Sequence, residues 1–318
     1  MALNKAPVGG RFPLNGDRVL KGLVAGAAIF VIVLMAAIAY EMFVGSSASL
    51  EQFGFGFITG TVWDPVHTVY GALPYIYGTL LTSALALLFG LPISIGVAVF
   101  LVEKLKTRHT EAYLIGTTVE LLAAVPSVIY GLWGLFFLSP LLKTYVEKPL
   151  HIYLGSVPIF SGTPFGLDFF TAGVILAIMI IPTISAVSRN VLNAVPNSQR
   201  EAMYSLGATD WEVISKGILP FARSGLFGAT ILGLGRAVGE TMAVTFVIGN
   251  ATRISPSLFS PGYTLASAIA NQFSESSSPV STAALVELGL LLFFVALAIN
   301  IFARTLLWRM SRMTKSRL

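Results

Sequence analysis

Long apolar runs alternate with short polar ones along this chain, and the runs are too long for the core helices of a water-soluble domain. About twenty consecutive apolar residues cross a bilayer as a helix. Runs of that kind predict spans at 22–44, 77–102, 112–139, 169–188, 224–250 and 281–306, which makes an all-α membrane protein of six helices. The first run exceeds the apolar core of about 7 to 15 residues found in a cleaved signal peptide, so it is expected to remain as a span. Pro92, Pro126 and Pro182 fall inside three of the runs, where each removes a helical hydrogen bond and permits a bend.

One polar stretch between the fourth and fifth runs, residues 196–220, has a different rhythm: PNSQREAMYSLGATDWEVISKGILP. Gly207 stands where a helix carrying Glu201, Ala202 and Met203 must end, and Thr209 followed by Glu212 has the spacing of a capping box. The pattern predicts helix, tight turn, helix, with Pro220 closing the second helix because it lacks the amide proton for propagation. Among the outer segments at about 45–76, 140–168 and 251–280, Tyr263, Leu265, Ala266, Ile269, Ala270 and Phe273 recur at helical spacing. They predict a short amphipathic helix at the outer interface. These segments read either as plain connections or as a landing surface for an external solute-binding protein.

Composition agrees with the pattern. Of 318 residues, 55% are hydrophobic and 11% charged, with a mean hydropathy of +0.81, whereas soluble domains carry about 25% charged residues. The net charge of +5 acquires meaning only through its placement. Sixteen of the twenty Lys and Arg lie on the side holding both termini and the 189–223 segment, and three on the other side. The positive-inside rule therefore puts both ends and that segment in the cytoplasm. Cysteine is absent, which excludes disulfides and thiol chemistry, and His67, His109 and His151 are too scattered for a metal motif. No Gly-x-x-x-x-Gly-Lys-Ser/Thr run occurs, so the chain has no P-loop and its energy must come from a partner.

The fifth run carries Arg236 and Glu240 at its middle, and charge there is costly in lipid. Arg236 stays ionised and offers a planar fork of donors suited to oxyanions. Glu240, four residues on, is expected on the same helical face. The pair reads either as a contact along a substrate pathway or as an internal ion pair that makes both charges tolerable. Gly235 and Gly239 form a small-xxx-small pair that lets a neighbouring helix approach. Glu287, early in the last run, is expected to face water near the outer side.

Glu201-Ala202, Gly207 and Leu219-Pro220 resemble the EAA loop of ABC-transporter permeases, the loop that docks into the ATPase subunit. The chain departs from that pattern at Met203, where the family has a third small residue, and at Gly217, where isoleucine is usual. The run Gly233-Leu-Gly-Arg236-Ala-Val-Gly-Glu240-Thr-Met-Ala-Val is similar to the matching helix of Pst phosphate permeases of the PstC type, as is Glu120-Leu-Leu-Ala-Ala-Val-Pro126-Ser127 in the third run. The resemblance implies a type I importer (MetI-like) permease core at 75–308 with its coupling loop at 196–220. An N-terminal part, 1–74, holds the first span, and a basic tail occupies 309–318. It also implies a multi-pass protein of the prokaryotic cytoplasmic membrane without catalytic residues or cofactors. Its partners would be a PstA-like permease, a PstB-like ATPase dimer and a PstS-like phosphate-binding protein. A permease for another oxyanion is the nearest rival. A secondary transporter would not need the helix-turn-helix segment and would often show an internal repeat, and a membrane enzyme would need a nucleophile or metal cluster.

Overall fold

A computed structural model describes residues 14–105 and 108–315. Of the basic residues counted above, Lys5, Arg11, Lys106 and Arg317 lie outside the described residues. Among the described residues six helices are long and apolar enough to cross a membrane. They are α1 (Leu14–Gly45), α3 (Leu73–Lys104), α5 (Ser127–Leu154), α6 (Phe169–Asn193), α8 (Asp210–Gly239) and α11 (Pro279–Lys315). Shorter helices join them: α2 (Ser47–Phe53), α4 (His109–Leu122), α7 (Asn197–Ser205), α9 (Met242–Val247) and α10 (Leu265–Gln272).

Two expected spans are interrupted. The run at 112–139 is two helices, α4 and α5, separated at 123–126. Pro126 disfavours helical backbone at Val125 and cannot donate a hydrogen bond itself, so the chain breaks where a bend was expected. The Tyr130 hydroxyl donates to the Leu122 carbonyl across the gap, 2.8 Å away, and satisfies one of the acceptors the break leaves open. The run at 224–250 is likewise two helices. α8 stops at Gly239, Glu240 has extended backbone (φ −71°, ψ 129°), and α9 restarts at Met242.

α6 forms the centre of the bundle, with Phe169, Ile175, Leu176, Ile180 and Ile184 buried. Its neighbours come close because they present glycine: a Cβ at Gly90 on α3 would lie 2.9 Å from the Ile180 side chain. By contrast α1 is exposed along nearly its whole apolar length and meets the bundle mainly through α11.

At the outer end, Asp168 caps α6, accepting a hydrogen bond from the Thr171 amide at 2.9 Å. Glu147 accepts from the Gly166 amide and the Thr171 hydroxyl. Burial, and then the nearby Glu147 carboxylate, push Asp168 up to about 8. α10 does not lie flat on the membrane interface as its amphipathic spacing suggests. Leu265, Ala266 and Ala268 are buried, and the Leu265 amide donates to the Thr79 hydroxyl on α3 at 2.9 Å, which draws the helix into the bundle. Glu287 departs from expectation too. It is 3% exposed, enclosed beneath α2 beside Ser49 and not turned to water.

Candidate functional site

The polar stretch at 196–220 forms an elbow. α7 ends at Ser205, Gly207 takes the left-handed backbone (φ +81°) that costs glycine least, and Thr209 and Glu212 close a reciprocal capping box. Glu201, Ala202 and Gly207 are exposed at the surface of the elbow. Large side chains stand out beside them: Leu206 is 84% exposed and Trp211 71%. Pro220 does not end the second helix. A π-helical turn at Val213–Ile218 takes up the missing hydrogen bond, and the helix runs on from Asp210 to Gly239.

The two departures from the family pattern fit together. A Cβ at Gly217 would lie 3.2 Å from the Met203 side chain, so the larger methionine occupies the space an isoleucine at 217 would take. Met203 packs with Val213, Ile214, Ile218 and Leu192 in one apolar cluster, and Leu219 lies at the edge of it.

Sequence reasoning missed what clamps this elbow to the bundle. Arg200, on α7, pairs with Glu103 at the end of α3 at 2.7 Å, and the two side chains are 8% and 10% exposed. The same guanidinium donates to the carbonyls of Val195 (2.6 Å) and Leu192 (3.1 Å) at the end of α6. A second pair, Lys104 with Asp210 at 2.8 Å, joins α3 to the start of α8, and Tyr204 also donates to Asp210. Partners 97 residues apart leave no local pattern, so both pairs are invisible along the chain.

Arg236 and Glu240 are not the aligned pair that four-residue spacing predicts. Arg236 lies in the last turn of α8, and its Nη1 donates to the Thr183 hydroxyl on α6 at 3.3 Å, one residue after Pro182. Glu240 falls in the break beyond, and its Oε1 accepts from the Ala243 amide in the first turn of α9 at 3.4 Å. The helix that would have aligned them ends between them. Among the described residues no ion pair joins the two.

The two interrupted spans meet each other. α9 packs on the first turns of α5, where a Cβ at Gly131 would lie 3.0 Å from the Ala243 Cα. Arg236, Thr183, Tyr130 and Glu240 therefore gather where two helices are broken within the membrane-spanning region. Broken helices at such depth are tolerated where they are buried in protein or line a polar cavity. On α8 the stripe Gly228, Leu232, Gly235 and Gly239 faces away from the bundle. Leu232 is 56% exposed, and a Cβ at any of the three glycines would meet nothing within 4 Å. Gly235 and Gly239 thus admit no helix of this chain.

Residues 90–312 match the family of binding-protein-dependent transport system inner membrane components. Over 289 residues the chain is 48% identical to the phosphate transport system permease protein PstC of Pasteurella multocida, covering 90% of this chain and 89% of that protein. The chain belongs to the PstC family of binding-protein-dependent permeases. The PstC protein of Mesorhizobium japonicum is 44% identical over 308 residues, 96% of this chain and 93% of its own length. Among solved structures, a chain of a bacterial alginate ABC transporter has a TM-score of 0.57 at 19% identity, covering 91% of this chain and 95% of its own. A chain of the MetNI methionine ABC transporter gives 0.53 at 17% identity, covering 76% and 94%. At those identities the likeness concerns the fold, which is that of type I ABC importer permeases. As a PstC-family permease this is a multi-pass inner-membrane transport subunit and not itself an enzyme, working with an ATPase and a binding protein.

Proposed function

We propose that this chain is one of two permease subunits that carry inorganic phosphate inward across the cytoplasmic membrane. It would work with a PstA-like permease, two PstB-like ATPase subunits at the elbow and a PstS-like phosphate-binding protein outside. The observation that carries the substrate is the near-full-length identity to PstC proteins. The excess of Lys and Arg beside the elbow supports a cytoplasmic position for the elbow and both termini.

The chemistry follows from charge. An unpaired anion moved into a low-dielectric interior costs tens of kcal/mol by a Born estimate, so the route must bring water, donors or opposite charge. Arg236 supplies both charge and donors, and Thr183 holds it in the empty state by a neutral hydrogen bond that phosphate can displace. Glu240 stabilises the first turn of α9 and keeps a negative charge near the break, which limits how long phosphate stays. The open stripe of α8 is the face for the second permease, so the route runs between the two subunits beside Arg236.

At the elbow, exposed Leu206 and Trp211 with Glu201, Ala202 and Gly207 form the grip for the ATPase, while Leu219 and Pro220 carry the motion into the membrane. Arg200 and Glu103 make α3, α6 and the elbow move together.

Phosphate uptake and ATP turnover in the assembled complex test this reading. Arg236→Ala is expected to reduce uptake by about tenfold or more, with Arg236→Lys intermediate, because a charge-assisted hydrogen bond is worth about 1.5–3 kcal/mol. Wild-type flux in Arg236→Ala would remove Arg236 from the route.

A further inference from the structure

A cavity of about 740 Å³ opens at the outer end of the molecule, between the segment after α2 and the segment after α9. Trp63 and Tyr70 line it and belong to the aromatic cluster beneath, with ring centroids 4.8 Å apart and edges turned to faces. They are 8% and 3% exposed, and Trp63 Nε1 and Tyr70 Oη are buried without a hydrogen-bond partner among the described residues. Buried donors are ordinarily paired, so two unpaired ones in one wall indicate that a partner comes from outside the chain.

The other wall supplies charge. Arg253 lines the cavity, is exposed, and is not ion-paired to Glu275, the one carboxylate among the lining residues. Thr68 and Asn250, on opposite sides, hold left-handed backbone at φ +53° and +54°, a conformation non-glycine residues adopt only where surrounding structure enforces it. An acceptor-rich oxyanion matches a wall of N–H and O–H donors with one guanidinium. The carboxylate of Glu275 can accept the hydrogen that monohydrogen phosphate itself carries.

Position links this cavity to the broken fifth span. Asn250 and Arg253 follow α9 directly, and α9, six residues and about 9 Å long, begins at the break that holds Glu240. We infer that the cavity is an oxyanion site at the outer mouth, where Arg253, Trp63 and Tyr70 hold inorganic phosphate before it reaches Arg236. The inference rests on the phosphate-carrying reading above and adds a second, outer station to it.

The test uses the full chain assembled with its partner permease and ATPase in lipid nanodiscs, without the external binding protein. An Arg236→Ala background removes the inner station. Equilibrium binding of radiolabelled inorganic phosphate is expected to be saturable there, to weaken about tenfold in Arg253→Gln and to recover in part in Arg253→Lys. Tyr70→Phe, which removes only the hydroxyl, is expected to weaken binding severalfold. ATP hydrolysis without binding protein should be unchanged in each, which reports intact assembly. No saturable binding, or binding indifferent to both Arg253→Gln and Tyr70→Phe, overturns the inference. So does retained phosphate binding accompanied by loss of stimulation by the external binding protein, since the cavity would then be a protein-docking surface. A complex with Arg236 and Arg253 intact that imports no phosphate in proteoliposomes sinks the parent reading instead, whereas normal import with binding unchanged in Arg253→Gln sinks only the outer station.

Discussion

The cytoplasmic elbow and the pair of breaks inside the bundle are both places where helices end, yet they end by different means. At the elbow each terminus is finished by side chains a few residues away: Thr209 and Glu212 cap each other's backbone, and Gly207 turns the chain. Inside the bundle the ends at Leu122 and Gly239 are finished by distant elements. Tyr130 reaches back across one gap, and α9 settles against α5, more than a hundred residues earlier in the chain. Water explains the difference. A helix end in the cytoplasm can leave carbonyls to solvent and needs only a local cap, whereas one in the membrane must find its partners in the protein.

The comparison breaks most readily at the latch, where the elbow borrows the long-range manner of the interior. Glu103→Leu leaves Arg200 charged, buried and unpaired, and removal of one partner of a buried pair costs about 3–5 kcal/mol. The expected result is a large loss of thermal stability in the assembled complex and of phosphate-coupled ATP hydrolysis, read by scanning fluorimetry and turnover. A loss confined to stability would limit the latch to a structural role.

Next in size is the meeting of the broken spans. Gly131→Val forces carbon against the Ala243 backbone, and overpacking of this kind costs about 1–3 kcal/mol. It should depress uptake more than it depresses assembly with the ATPase, because the elbow lies at the other end of α8. Equal loss of both would erase the distinction between the two regions. The smallest effect is expected at the capping box. Thr209→Ala removes a local cap worth about 1 kcal/mol and should lower stability slightly while leaving phosphate flux near normal, measured by the same two assays.

The same contrast decides what could be read from the chain. Gly207, Thr209 and Glu212 announce the elbow because cause and effect lie within a few residues of each other. The apolar runs announce the spans because bilayer thickness sets their length. Pro126 is visible too, but whether a proline bends a helix or breaks it depends on what its neighbours satisfy, and the Tyr130 bond that closes this break follows from the fold. The end of α8 at Gly239 has no proline to mark it. It follows from α9 turning to pack on α5, so spacing alone wrongly placed Glu240 on the face of Arg236. Met203 and Gly217 read separately as flaws in a motif, and only their contact in space shows each accommodating the other. Arg200 was legible as a cytoplasmic charge and nothing more, since its carboxylate partner belongs to a different span.

The uninterrupted helix from Asp210 to Gly239 has a geometric consequence. Arg236 stands twenty-six residues beyond Asp210, about 39 Å along the axis. A rod of that length pivoting near one end by only about 5° displaces its far end by about 3 Å. That stroke is comparable to the 3.3 Å separating Arg236 from the Thr183 hydroxyl. Small rotations where the motor grips are therefore magnified into the make or break of a single bond at mid-membrane.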